Sequence, residues 1–140
     1  MFNYGGLKLF LLKFFFGLFL FLVSIFFIFS LLSYDVNDPG IDRFGQKSEI
    51  LNLFGFAGAL ISSLLMLIFG HLSLLLSFYI FFISIIISTG IRSNKLFIKL
   101  ILIILSITLI NFSASLQKIE IIKTGFLSNF MLDIFIFYYP

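Results

Sequence analysis

Three stretches of this chain hold no Asp, Glu, Lys or Arg, at residues 14–34, 50–91 and 100–117, and their lengths of 21, 42 and 18 residues constrain the fold more than any other feature. A bilayer core about 30 Å thick takes roughly 20 helical residues at 1.5 Å each. Composition points the same way. Leu, Ile and Phe supply 73 of 140 residues, apolar residues reach 61%, charged residues fall to 11%, and mean hydropathy is +1.24. A soluble domain of this size leaves too much of its surface in water to hide that much apolar material. The expected class is an all-α integral membrane protein with three transmembrane helices and a short apolar fourth segment, interfacial or truncated. The whole chain, residues 1–140, reads as one membrane domain.

The flanking charges set the expected topology. Lys8 and Lys13 precede the first run without an acid, and the connection at 92–99 carries Arg92, Lys95 and Lys99, also without an acid. The loop after the first run mixes Arg43 and Lys47 with Asp35, Asp38, Asp42 and Glu49. Short Lys/Arg-rich loops stay on the cytoplasmic side. The N-terminus and the 92–99 turn are therefore expected inside, and the 33–55 loop outside. A hairpin within the 42-residue run, turning at Gly70 and His71, would put 92–99 on the wrong side. The expected spans are 9–32, 59–91 as one continuous crossing helix, and 100–110 extending toward 117, with the surplus at 52–63 at the outer interface. The first run is too long for a signal-peptide core and no small-residue cleavage site follows it, so it reads as a retained helix. Lys118 to Lys123 read as an interfacial ribbon or short helix, and the aromatic segment 126–140 is expected to be interfacial or re-entrant.

Small residues recur seven apart at Ser63, Gly70, Ser77 and Ser84, with Ala59, Ser73 and Ser88 on the same face. On a helix in lipid such a stripe lets another backbone approach, so it marks a helix–helix or subunit contact, unless Ser and Gly are simply tolerated there.

Catalytic signatures are missing from the sequence: there is no phosphate-binding loop, no nucleophile elbow and no His-Glu-x-x-His pair. With no cysteine and His71 as the only histidine, no metal or other cofactor is expected. Asp35, Asn37, Asp38 and Asp42 are a poor calcium loop, since Pro39 and Gln46 occupy ligand positions; Asp38, Pro39 and Gly40 read instead as a turn. Transporters carry ionisable groups inside their spans, and here only Lys13, near one end, qualifies. A small permease or pore subunit using backbone and serine groups is the alternative reading.

The residues between the first two runs are the least generic. Leu31-Leu32-Ser33-Tyr34 is followed by Asp38-Pro39, then by Asn52-Leu53-Phe54-Gly55-Phe56-Ala57-Gly58-Ala59, then by Leu65 and Phe69-Gly70. This ordered set resembles the amino-terminal membrane region of the FtsK/SpoIIIE DNA translocases, in which an aromatic and an Asp-Pro turn leave the first span and Asn-x-x-Gly-x-x-Gly-Ala opens the second helix. The matching positions are Tyr34, Asp38, Pro39, Asn52, Gly55, Gly58, Ala59, Phe69 and Gly70. Departures are Val36 and Ser62-Ser63 at positions where the family often has proline and Ala-Asp, and the absence of a later proline in the second span. The resemblance implies a four-span anchor at the division septum of the bacterial inner membrane, with the ATPase motor on a separate domain. It implies contacts with lipid, with further copies and with division-machinery membrane proteins, and no nucleotide or nucleic-acid binding here. Gly125 and its apolar sequel resemble the approach to a fourth span, so the chain is expected to be the anchor alone, as a fragment or a short homologue.

Overall fold

The computed structural model describes residues 4–41, 50–90, 95–117 and 124–138. Asp42, Arg43, Lys47, Glu49, Arg92 and the 118–123 ribbon, on which part of the expected topology rests, lie outside the described residues. The elements are helices: α1 (Tyr4–Leu32), α2 (Gly55–Phe69), a single 3-10 turn (Gly70–Leu72), α3 (Ser73–Ser88), α4 (Leu96–Leu116) and α5 (Phe126–Tyr138). Helix is what apolar surroundings dictate, because a backbone that cannot bond to water must bond to itself. By length and apolarity Gly6–Leu32, Gly55–Ser88 and Ile98–Leu116 can each cross a bilayer, whereas Phe126–Tyr138 is short. The chain is an all-α membrane protein with three long apolar helical stretches and a shorter one.

The packing is inverted relative to a soluble protein. Ser24, Ser30, Ser62, Ser63, Ser73, Ser77, Ser84 and Ser128 are buried, while Phe15, Phe19, Leu22 and Phe82 point outward. Lipid tails are as apolar as leucine, so nothing drives large side chains inward; close backbone approach does the joining, and small residues permit it. Four of these serines bond one turn back along their own helices, whereas the buried Ser30 hydroxyl has no partner among the described residues. Ser24 Oγ donates to the Phe21 carbonyl (2.7 Å), Ser62 to Ala59 (3.1 Å), Ser77 to Ser73 (3.1 Å) and Ser84 to Phe81 (2.6 Å).

The main pairing is α1 with α3. The Phe21 and Phe81 rings lie 5.1 Å apart, Gly17 is pressed on Ser84 and Ser88, and the Phe10 ring covers Gly90. Numbers rise on α1 as they fall on α3, so the two helices are antiparallel. Continuing this register puts Gly70 level with the last turn of α1. The other end of α2 sits at the same level, since the Asn52 side chain bonds to the Ser30 carbonyl. Yet α2 has 15 residues and is about 21 Å long. A helix of that length with both ends at one level must lie across the α1–α3 pair.

This corrects the expectation of one continuous helix over 59–91. Gly70 adopts φ 63° and ψ −153°, a region in which a side chain collides with its own backbone, and the helix axis changes direction there. The helical run starts at Gly55 rather than Ala59, α3 ends at Ser88, and α4 runs from Leu96 to Leu116. Ser63 therefore belongs to the transverse helix while Ser77 and Ser84 belong to α3, so the seven-residue stripe is no single helical face. All four of its residues are buried within the chain, and Ser84 lies against Gly17.

α4 returns to the Gly70 end, where Asn111 Nδ2 donates to the Phe69 carbonyl (2.7 Å). α5 begins there too, with Gly125 against the backbone of Ile68 and Gly70. Gly17→Leu is expected to push α3 away from α1 and to lower stability in detergent by about 1–3 kcal/mol. Phe19→Leu, on the outward face, is expected to leave the denaturation midpoint nearly unchanged.

Candidate functional site

The polar residues that interrupt the apolar sequence converge where α1 ends and α2 begins. An α-helix leaves its last carbonyls without partners. α1 solves this with Asn52, which is 5% exposed: its Nδ2 donates to the Ser30 carbonyl (2.9 Å) and to the Ser33 carbonyl (3.3 Å). Its Oδ1 accepts the Phe54 N–H (3.1 Å), and its own carbonyl accepts the Gly55 N–H (2.8 Å). One side chain thus caps the outgoing helix and shapes the start of the incoming one.

Asp38 holds Asn52 in place. Its carboxylate, 4% exposed, accepts the Leu51 N–H on one oxygen and the Asn52 N–H on the other, each at 2.9 Å. Bonds from backbone N–H to a carboxylate are stronger than neutral ones, and here they are partly shielded from water. Ser33 completes the clasp: its Oγ accepts the Leu53 N–H (3.1 Å) and donates to the Phe29 carbonyl (2.8 Å). The Phe26 and Phe54 rings, 4.8 Å apart, cover it from the apolar side. Ile41 N–H donates to Ser63 Oγ (3.2 Å), tying the loop to the middle of α2.

The turn differs from the expected Asp38-Pro39-Gly40. Asp35 starts it, with its carboxylate accepting the Asn37 N–H (2.7 Å) and its carbonyl accepting the Asp38 N–H (3.3 Å). Asp38 closes that turn, which frees its carboxylate to reach the far strand of the loop.

The glycines of the segment now have separate reasons. A Cβ on Gly58 would run into Asn52 Oδ1 and Phe54, so the second glycine makes room for the capping side chain. Gly55 has φ +58° with open space around it, so it serves backbone direction. Ala59 is 2% exposed in the next turn, and Pro39 is buried beside Asp38. Phe69 and Gly70 stand at the opposite end of α2, about 21 Å away along the helix. Tyr34 joins the two groups: with Leu31, Leu32, Met66, His71, Ser73 and Leu74 it lines a half-open cleft of about 200 Å³ between the end of α1 and the start of α3. His71 is exposed at this cleft.

Several residues of the site escape a charge-based reading. Ser30 and Ser33 contribute backbone carbonyls or a hydroxyl that nothing in their spacing announces. Asn111 interrupts the third apolar run yet carries no charge, so measuring runs by Asp, Glu, Lys and Arg passes over it. It is 1% exposed and supplies the donor for the carbonyl exposed by the break at Gly70. The donors and acceptors of the clasp are spent on one another, which makes it a structural fastening of the α1–α2 junction.

The fold and its clasp define a multispan helical membrane domain in which a transverse helix is pinned across the end of an antiparallel pair. Residues 11–130 match the model of the 4TM region of DNA translocase FtsK/SpoIIIE, and the chain belongs to that family. Comparisons with curated proteins and with solved structures each found no match.

Asp38→Ala is expected to strand two backbone donors and lower stability by about 2–4 kcal/mol. Asn52→Leu should cost a similar amount, and the double variant clearly less than the two losses combined, because the residues share one network. Denaturation in detergent of the three variants checks this. Gly70→Ala is expected to cost about 1–3 kcal/mol through backbone strain alone.

Proposed function

We propose that this chain is the membrane anchor and interaction domain of a septal DNA translocase, acting in cell division and chromosome segregation without catalysis of its own. The observation that carries the reading is the family match over residues 11–130, which spans α1 to the first turn of α5 and includes the clasp and both ends of α2. The geometry suits the task. Long helices with outward-facing Phe, Leu and Ile hold the chain in lipid, while the fastened α1–α2 junction presents a defined surface at one end of the bundle.

In this reading the chain sits in the bacterial inner membrane with its N-terminus in the cytoplasm. Lys8, Lys13, Lys95 and Lys99 mark the inner side, and the Asp38–Asn52 clasp lies outside. Its partners are further copies of the chain and membrane proteins of the division machinery, met on the outward faces and on the transverse helix. The motor that acts on DNA would belong to a separate domain, held to the septum through this anchor.

A fluorescent protein fused to the N-terminus of the 140-residue chain and expressed in dividing bacteria is expected to concentrate at division sites. Even fluorescence around the whole envelope, from a fusion that inserts and is not degraded, would contradict the anchor role. Asp38→Ala is expected to weaken the septal enrichment, because the surface it fastens would be lost.

A further inference from the structure

The four described basic residues collect at one end of the bundle. Phe10 covers Gly90, so the start of α1 and the end of α3 are level, and Lys95 immediately precedes α4 only five residues beyond Gly90. Lys8, Lys13, Lys95 and Lys99 are all exposed. The described acids lie toward the other end. Asp35 and Asp38 follow α1, and Asp133 is half a turn from Phe135, whose ring packs on Phe112 beside Asn111 (6.0 Å between centroids). The basic end is thus uncompensated among the described residues.

The lysines also form two tiers. Lys13 stands five residues further along α1 than Lys8, and Lys99 four residues further along α4 than Lys95, so the inner pair lies about 6–8 Å deeper. Lys13 and Lys99 are flanked by apolar residues and must extend their side chains outward to hydrate their amines. The amines then reach the level of lipid phosphates, between the outer lysines and the apolar core.

We infer that this end is a binding surface for anionic phospholipid headgroups, with Lys13 and Lys99 engaging the phosphate from the core side and Lys8 and Lys95 from the aqueous side. The occupant follows from charge complementarity: a net-positive, two-tier collar at headgroup depth attracts phosphatidylglycerol over zwitterionic phosphatidylcholine.

The test is electron paramagnetic resonance of the full 140-residue chain in phosphatidylcholine bilayers, comparing motionally restricted spin-labelled phosphatidylglycerol with spin-labelled phosphatidylcholine. At low salt phosphatidylglycerol is expected to be favoured on the order of ten-fold. The preference should fall at least about two-fold in Lys13→Gln/Lys99→Gln, which retains Lys8 and Lys95, and persist in Lys13→Arg/Lys99→Arg. It should also collapse in about 1 M salt, where screening acts within a few ångströms; this arm needs only the unaltered chain and stands if the glutamine variant fails to insert. Equal association of both lipids with the unaltered chain would overturn the inference. So would a preference that survives high salt, or that persists when all four lysines are glutamine and the helix content is unchanged.

Discussion

Everything in this structure follows from the need to satisfy backbone polar groups where water is scarce. A helix does this for its interior and fails at its ends. The chain must nevertheless stop α1 and start α2 within a short loop, and it must turn the axis between α2 and α3. At the first place Asp38, Asn52 and Ser33 take up the orphaned donors and acceptors. At the second, Asn111 donates to the Phe69 carbonyl. These side chains allow a transverse helix to exist; without them the cheapest conformation for residues 55–88 would be one straight rod of about 50 Å, far longer than a bilayer core.

The transverse helix gives the family motif a physical meaning. Its elements mark the two ends of α2: Asp38, Asn52, Gly55 and Gly58 where it begins, Phe69 and Gly70 where it breaks. The interval between them is the length of the helix that lies across the bundle. α3 is left with 16 residues, about 24 Å, and the turn and the residues after it bring that crossing close to bilayer thickness. The surplus of the long apolar run is therefore used as a second direction of packing, and it brings α5 to the same end through Gly125.

The inverted packing has a related cause. Where the solvent is apolar, burial of Leu or Phe gains little, so helices join where they approach most closely. Gly17 against Ser84 and Ser88 is such a contact, and hydroxyls such as those of Ser24, Ser62, Ser77 and Ser84 are paired by bonding one turn back along their own helices. The abundant phenylalanines clothe the outside, which is why no single one of them distinguishes the site.

Much of the fold was legible in the residues alone: charge-free runs predict apolar helices wherever a backbone meets lipid, and the ordered Tyr34-to-Gly70 motif points to the family. Gly70 was visible as well, as a member of a small-residue stripe and as the turn of a hairpin that the charges of 92–99 argue against, but not as a break between a transverse helix and a crossing one. At this φ of 63° the break is met by Asn111 and Gly125, which arrive from far along the chain, and spacing within one helix carries no information about such partners. The same holds for Asp38. From sequence it opens a turn with Pro39; in three dimensions it closes one begun by Asp35 and spends its carboxylate on Leu51 and Asn52, thirteen and fourteen residues away. The sequence by itself determined the solvent, the helices and the kinship, because those depend on local composition and ordered motifs. Only the tertiary structure decided that α2 lies across the bundle and which residues hold it there, because a hydrogen bond between distant segments exists only once the chain has brought both ends together.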